Sequence, residues 1–393
     1  MKQAILTINA GSSSIKFALF PLAHPISPDA EVSGQIDGIG TNATKMVAKD
    51  RAGEKIANQA IAGEQVSHDV AFDALLKWFM ATHSGWQIVA VGHRVVHGGE
   101  RYSAPTVVDA TVLDHLTSFI PLAPLHEPHN VAGIRALQAL LPNVPQIACF
   151  DTAFHRSQPD VAQTFGLPRA LSAEGIKRYG FHGLSYEFIA RALPQHSHRA
   201  AGRVVVAHLG NGASMAAMVN RKCVATTLGF STIDGLLMGT RCGNLDPGVV
   251  LHLMETKGLT VKDMTRMLYK ESGLLGVSGI SQDMRTLLAS DKPEAEEAVN
   301  LFCYRIAREL GSLVAASGGI DALVFTGGIG EHAAEVRRRV CLQSEWLGIR
   351  LDPEANARHD IVISAGNSSV DVLVIPTNEE WMMAHHAQTL LAL

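Results

Sequence analysis

A pattern that occurs twice constrains this chain more than any single motif. Near the N-terminus, Ile5-Leu6-Thr7-Ile8-Asn9 runs into Ala10-Gly11-Ser12-Ser13-Ser14, and an apolar run resumes over Ile15–Phe20. That reads as strand, tight turn, strand, because small residues free the turn backbone and β-branched neighbours favour extended chain. Some 200 residues later, Val204–Val219 (VVVAHLGNGASMAAMV) repeats the arrangement. At an offset of 199, Asn9-Ala10-Gly11 falls on His208-Leu209-Gly210 and Ser12–Ser14 falls on Asn211–Ala213. Identity between the copies is low, and what recurs is the pattern. It predicts two domains of like topology, each opening with a β-hairpin whose turn faces a cleft.

The remaining patterns alternate between helix and strand. Helical periodicity covers Val70–Thr82 and Asn130–Leu141, with short apolar strands at Gln87–Val91 and Gln146–Phe150. Pro293–Ser317 is a long amphipathic helix with an acidic first turn, ending at Gly318-Gly319. Ala322–Thr326 reads as a buried strand, Gly327-Gly328-Ile329-Gly330-Glu331 as a tight loop, and Ala333–Leu342 as a further helix. A last strand, Val370–Ile375, precedes Pro376–Glu380 and a terminal helix. This alternation predicts α/β layers. A length of 393 residues suits two domains. No low-complexity linker separates them, so a boundary near residue 150 rests on the repeat.

Composition removes several function classes. Thirty-three Lys and Arg against 37 Asp and Glu leave a net charge of −4, so no basic field could supply non-specific affinity for nucleic acid. No apolar run reaches the roughly eighteen residues of a membrane span, and the N-terminal apolar run is too short for a signal peptide. Five scattered cysteines without C-x-x-C favour free thiols in a reducing cytoplasm.

Three glycine-rich turns follow apolar strands: Ala10–Ser14, Gly210–Gly212 and Gly327–Gly330. Such turns present backbone N–H groups in a concave array that suits polyphosphate. The P-loop, the dinucleotide fingerprint and the protein-kinase motifs are all absent, so a nucleotide would be gripped another way. Lys16, in the apolar run after the first turn, is either an edge residue reaching solvent or a cation aimed at phosphate. Arg94 and Arg241 recur beside glycine and histidine, and an arginine flanked by small residues at a loop has room for a bidentate anion contact. Ten of the 18 histidines lie from His93 through His208, which first suggests zinc. Yet His93 and His97 lie in a strand pattern without the glutamate of H-E-x-x-H, and His126 and His129 flank Pro128 in a loop. None is spaced with cysteine as in a zinc finger. Histidine as a hydrogen-bond donor to phosphate fits the glycine turns better. Asp151 follows an apolar strand and Asp283 adjoins another apolar run. Asn9 and Glu379 also stand at strand ends, where oxygen ligands for Mg2+ could converge.

Taken in order, these segments resemble the acetokinase family of short-chain carboxylate kinases. The resemblance is carried by Ile8–Phe17, Gly92–Glu100, Ala123–His126, Phe150–His155, Tyr179–Gly183, His208–Gly212, Met238–Arg241, Phe325–Glu331 and Pro376–Glu380. It implies two duplicated actin/hexokinase-like (ribonuclease H-like) domains around a nucleotide cleft, residues 1–150 completed by a helix over about 377–393, and residues 151–376. It implies reversible in-line phosphoryl transfer from ATP to acetate, giving acetyl phosphate and ADP, with Mg2+ (or Mn2+) and a cytoplasmic homodimer. By the same resemblance Arg94 and Arg241 hold the carboxylate and the moving phosphoryl group, His182 donates a hydrogen bond to its equatorial oxygens, and Asp151 orders metal ligands or Arg94. Asn9 and Glu379 match metal positions. Lys16 and the His208, Leu209, Gly210, Asn211, Gly212 turn match phosphate contacts. Asp283, Met284, Arg285 and Gly327, Gly328, Ile329, Gly330, Glu331 match adenosine contacts.

The acyl pocket implied by the resemblance comprises Val96, Leu125, Phe181 and Thr232, bordered by His126. Thr232 stands where the family usually has proline, which leaves acetate, propionate and butyrate open as acceptors. Leu184 and Tyr186 replace a usual Thr and His, and His332 a usual Asn. Two readings of other classes also stand: a non-catalytic nucleotide-binding module and a histidine-rich zinc hydrolase.

Overall fold

Both hairpins form, and their registers explain what each turn presents. In the computed structural model, which describes all 393 residues, Lys2–Ala10 pairs antiparallel with Ser14–Pro21 so that Asn9 lies opposite Lys16. Arg203–Leu209 pairs in the same way with Ala213–Val219, placing His208 opposite Ser214.

The chain divides into two units, Met1–Ala153 with Asn378–Leu393, and Phe154–Thr377. The first carries strands β1 (Lys2–Ala10), β2 (Ser14–Pro21), β3 (Val32–Asp37), β4 (Lys45–Asp50), β5 (Lys55–Ala60), β6 (Trp86–Val95), β7 (Thr106–Val107) and β8 (Gln146–Phe150). They form one sheet in the order β5-β4-β3-β2-β1-β6-β8-β7. The second carries β9 (Arg203–Leu209), β10 (Ala213–Val219), β11 (Lys222–Thr226), β12 (Ala322–Thr326) and β13 (Asp371–Val374), in the order β11-β10-β9-β12-β13.

The duplication lies in this order. β3-β2-β1-β6-β8 and β11-β10-β9-β12-β13 match strand for strand, antiparallel in the first two pairings and parallel in the last two. This is the duplicated α/β architecture that the repeat implied. Strands β4, β5 and β7 extend the first copy only.

In the first unit, helices α1 (His68–Thr82), α2 (Ala110–Ser118) and α3 (Glu127–Leu140) cover one side of the sheet. Helix α1 starts where the Ser67 hydroxyl accepts from the Val70 amide, and it buries Ala71, Phe72, Leu75, Leu76 and Phe79 at helical spacing. These residues meet Leu6, Ile8 and Ala10 of β1 and Ile15, Phe17 and Leu19 of β2. Each leucine, isoleucine or phenylalanine so buried contributes about 1.5–3 kcal/mol. Because strand side chains alternate, Asn9 and Lys16 must face the other side.

In the second unit come the short α4 (Asp160–Gln163) and α5 (Arg169–Ala173), then α6 (Gly183–Ala192), α7 (Pro247–Lys257), α8 (Val261–Lys270), α9 (Gly273–Ser278), α10 (Met284–Leu288), α11 (Pro293–Ser317), α12 (Gly327–His332), α13 (Ala334–Gln343) and α14 (Pro353–Ala357). Helix α6 packs Tyr186, Ile189 and Ala190 against Val204, Val206, Ala216, Met218 and Val324. The 25-residue α11 lies against β9, β10 and β11 and buries Phe302, Ile306 and Leu310. The last helix, α15 (Glu379–Leu391), returns to the first unit and packs on β1, β2 and β6.

Two segments differ from their sequence reading. Gly327–Glu331 is not a loop but the first turns of α12, since glycines after a buried strand can also open a helix directly. His129 is likewise helical. Pro128 occupies the first turn of α3, where its missing N–H leaves no hydrogen bond unmade, and His126 is the residue flanking that helix.

Candidate active site

Alternation and register together assemble the first cluster. Ile8 of β1 lies beside His93 of β6, so Asn9 neighbours Arg94, and Arg94 in turn lies beside Cys149 of β8, two residues before Asp151. Ala10, Val95 and Phe150 face the α1–α3 side, which turns Asn9, Arg94 and Asp151 toward the α15 side. All three stand at the carboxyl ends of parallel strands, the usual place for ligands in such sheets.

Helix α15 closes on this face. Gly92 makes the approach possible, because a Cβ there would lie 3.1 Å from the Met383 carbonyl oxygen. The first turn of α15 thereby brings Glu379 Oε2 to 3.8 Å from Arg94 Nη1. The Asp151 carboxylate is buried and grips Arg94 bidentately, accepting from Nε at 3.1 Å on both oxygens and from Nη2 at 2.6 Å. Burial alone would lower the Arg94 pKa, but Asp151 and then Glu379 outweigh it and hold the guanidinium charged. Burial and the neighbouring Glu379 push the Glu380 carboxyl above the ordinary range, against Lys16 and Arg94.

Lys16 does not sit on an edge strand: β2 is flanked by β1 and β3. Its side chain lines a cavity of about 560 Å³ together with Lys49, Asn378 and Glu380. Behind this cluster Asn130 ties two segments together, accepting from the Val96 amide at 3.0 Å and donating to the Ala10 carbonyl at 2.9 Å. Beside it, Glu127 is fully buried and accepts from the His97 amide. Burial pushes its carboxyl up to about 8. Val96 is buried, and Leu125 and His126 are half-buried just before α3.

The second cluster belongs to the other unit. His182 has φ 58°, a left-handed conformation rare for a residue with a Cβ and characteristic of functional sites. It stands at the N-terminal end of α6 and stacks on His208, with ring centroids 4.4 Å apart. Its Nδ1 is 2.8 Å from the Ser214 hydroxyl. A Cβ on Gly212 would lie 3.4 Å from His182 Nε2 and 3.5 Å from Arg241 Nη2, so an imidazole edge and a guanidinium converge on one point at the glycine turn.

Arg241 is held from behind. Its Nη1 donates to the Thr232 carbonyl at 2.7 Å. The 238–241 loop is pinned through Leu274 N–H to Met238 O at 2.8 Å and Gly239 N–H to Asn211 O at 3.0 Å. Gly239 leaves room for Asn211, whose side chain a Cβ there would displace. Phe181 and Thr232 are both buried nearby in the chain.

The Gly210–Gly212 turn also borders a cavity of about 490 Å³, lined by Asn211, the Asp283–Arg285 segment and Gly328-Ile329. Met284, Leu288 and Ile329 supply apolar walls suited to a heterocyclic base, and Asp283 caps α10 by accepting from the Arg285 amide at 2.9 Å. The Arg285 guanidinium beside Asp283 holds that carboxyl down to about 2. Glu331 is engaged with backbone, accepting from Gly327 N–H at 2.8 Å and Thr377 N–H at 3.2 Å, and so ties the α12 glycines to the end of β13. The buried hydroxyls of Thr326 and Thr377 have no hydrogen-bond partner. They occupy the strand-end positions that Arg94 and Asp151 hold in the first unit.

No group of three or more His, Cys, Asp or Glu is placed to hold a metal ion, and several histidines have other partners. His93 pairs with Gln146 at 2.7 Å, and His155 with Cys223 and the Phe181 carbonyl. Reasoning from sequence passed over Ser214, Asn130, Glu127 and Leu288. Hairpin register could have found Ser214, which is opposite His208; the others have no local signature.

A model of the acetokinase family matches residues 4–385. The chain is 55% identical over 392 residues to a protein named acetate kinase from Rhodopseudomonas palustris, covering 98% of each. It is 50% identical to an acetate kinase from Methylocella silvestris, covering 100% of this chain and 98% of that one. Among solved structures, a propionate kinase from Francisella tularensis superposes with a TM-score of 0.91 at 37% identity, over 98% of this chain and 99% of that one. The Porphyromonas gingivalis acetate kinase gives 0.88 at 36% identity, over 99% and 100%.

Proposed function

The chain belongs to the acetokinase family, and from that premise we propose that it transfers a phosphoryl group reversibly between ATP and acetate, forming acetyl phosphate and ADP. The observation that carries this reading is the convergence of His182 Nε2 and Arg241 Nη2 on the Gly212 turn, beside a cavity of nucleoside size. A carboxylate acceptor is already ionised at neutral pH, so the site needs no general base. What it needs is positioning and stabilisation of charge on a metaphosphate-like group passing in line.

Each residue then has a task. Arg94, fixed by Asp151, holds the acceptor carboxylate and the incoming phosphoryl oxygens. Arg241 and His182 donate to the equatorial oxygens. The turn from His208 to Gly212 approaches the nucleotide phosphates through backbone N–H groups, while Asp283–Arg285 and Gly328-Ile329 border the nucleoside.

The residues present fit a divalent cation. Mg2+ characteristically takes one or two carboxylate ligands and fills its remaining positions with water and substrate phosphates. Glu379, whose nearest ion-pair contact is a long one, and Asn9 would hold it. When bound, the ion neutralises charge on the phosphates. Asn9 and Glu379 lie on the side of the sheet on which Arg94 lies, and two such oxygen donors suit an ion that keeps most of its water and phosphate ligands.

We also propose a homodimer built on the second unit. None of the 11 residues of α7 is buried, and Val249 and Leu251 are exposed on it, which is unusual for an apolar helix with no partner. Four of the five free cysteines are buried, which suits a reducing compartment such as the cytoplasm. No helix is long and apolar enough to cross a membrane.

The test is trapping of acyl phosphate as hydroxamate with Mg2+, ATP and acetate, propionate or butyrate in turn. Acetate should give the highest kcat/KM. A propionate preference would shift the reading toward the Francisella relative, and Thr232 would be the first residue to examine. No hydroxamate with any of the three refutes the kinase.

A further inference from the structure

Two side chains behind the phosphoryl-facing histidine form with it a continuous hydrogen-bonded chain. Tyr186 lies one helical turn after His182 on α6, fully buried, with its hydroxyl 2.5 Å from Ser214 Oγ. Ser214, also fully buried, is 2.8 Å from His182 Nδ1. Strand alternation turns Ser214 and His208 to the α6 side of their sheet, where Ser185 is 2.8 Å from His208 Nδ1. The Tyr186 ring packs edge-on against His155 and His208.

We propose that Tyr186 and Ser214 are positioning residues that hold His182 as the tautomer protonated on Nε2. A serine hydroxyl has one proton to give, so with two partners it donates to one and accepts from the other. A phenol is the more acidic hydroxyl and the weaker acceptor. Tyr186 therefore donates to Ser214, and Ser214 donates to the Nδ1 lone pair of His182. The ring proton then stands on Nε2, the atom that faces Gly212 beside Arg241. In a neutral ring the opposite direction would put a lone pair on Nε2 and repel phosphoryl oxygens. Tyr186 thus acts through a second residue on the hydrogen bond that His182 offers, and it touches no substrate.

This inference rests on His182 facing the transferred group, and the experiment separates the two. His182→Ala tests the underlying reading, and full activity there refutes it. Tyr186→Phe keeps the ring and removes one hydroxyl. It should lower kcat about tenfold, the rate equivalent of one hydrogen bond, with KM for acetate and MgATP within about twofold. The 15N signals of His182 should move from an Nε2–H pattern toward a mixture. Ser214→Ala should lower kcat at least as much, and the double variant should be no worse than Ser214→Ala alone. If His182→Ala is inactive while Tyr186→Phe keeps wild-type kcat and unchanged His182 signals, the relay is overturned. An effect of Tyr186→Phe confined to KM or to melting temperature also overturns it. Should Ser214→Ala fail to fold, Tyr186→Phe with its nitrogen spectrum decides alone.

Discussion

Replacing Asp151 with alanine should damage stability and catalysis through one cause, the release of Arg94. Three contacts of 2.6–3.1 Å join the two side chains. Once the carboxylate is gone, a guanidinium only 19% exposed retains the ion-pair contact with Glu379 at 3.8 Å. Stranding one member of a buried pair costs about 3–5 kcal/mol. Glu379 and the residual solvent contact bring that to about 2–3 kcal/mol here. At about 2–4 °C per kcal/mol for a domain of this size, the melting temperature should fall by about 4–12 °C. Catalysis should suffer more, because a freed guanidinium displaced by about 1 Å costs on the order of 100-fold in rate. Asp151→Asn, which keeps one acceptor oxygen, should fall between. Hydroxamate trapping and calorimetry on wild type, Asp151→Ala, Arg94→Ala and the double variant complete a cycle in which the double should equal Arg94→Ala. If Asp151→Ala keeps kcat within about threefold and the double is strictly additive, Asp151 does not act through Arg94.

Stability should respond to pH at identifiable groups. The Glu127 pKa is raised by burial to about 8 in the folded state, so the folded chain holds a proton that the unfolded chain releases at an ordinary carboxyl pKa. Its stabilising contribution is complete below that ordinary pKa and is lost as pH rises toward 8. Glu127→Gln should therefore flatten the decline in melting temperature between about pH 5 and 8 and be more stable than wild type at pH 8; an unchanged slope would refute it. His93, His97 and His155 are lowered by burial to about 4. Their contribution is complete above the ordinary imidazole value and is lost as pH falls toward 4. Imidazole NMR signals titrating near 6.5 would contradict this. Leu251→Glu on α7 should convert a dimer to monomer in sedimentation velocity, whereas a wild-type monomer would refute the interface.

Elements with strong local periodicity were legible before the fold was known. The helix Pro293–Ser317 and the strand Ala322–Thr326 coincide with their sequence reading to the residue, because glycine, proline and buried apolar runs punctuate them. Gly327–Glu331 was misread because three glycines weigh toward a loop by propensity, while tertiary packing makes them the start of a helix. His126 and His129 show the same competition at Pro128, which reads as a breaker and serves as a helix start.

The sequence by itself determined the repeated hairpin, the α/β class, the absence of a basic field and the ordered motifs that mark the family. All of these are carried by residues close together in the chain. Tertiary structure alone decided which groups work as pairs. Asp151 clamps Arg94 across 57 positions, Gly92 lets a helix from the far C-terminus bring Glu379 to the same face, and Tyr186 of α6 reaches His182 through a serine on β10. The physical reason is that hydrogen bonds and ion pairs depend on ångström-scale distance and direction. Sheet register and helix packing set those between segments whose local sequences carry no trace of each other.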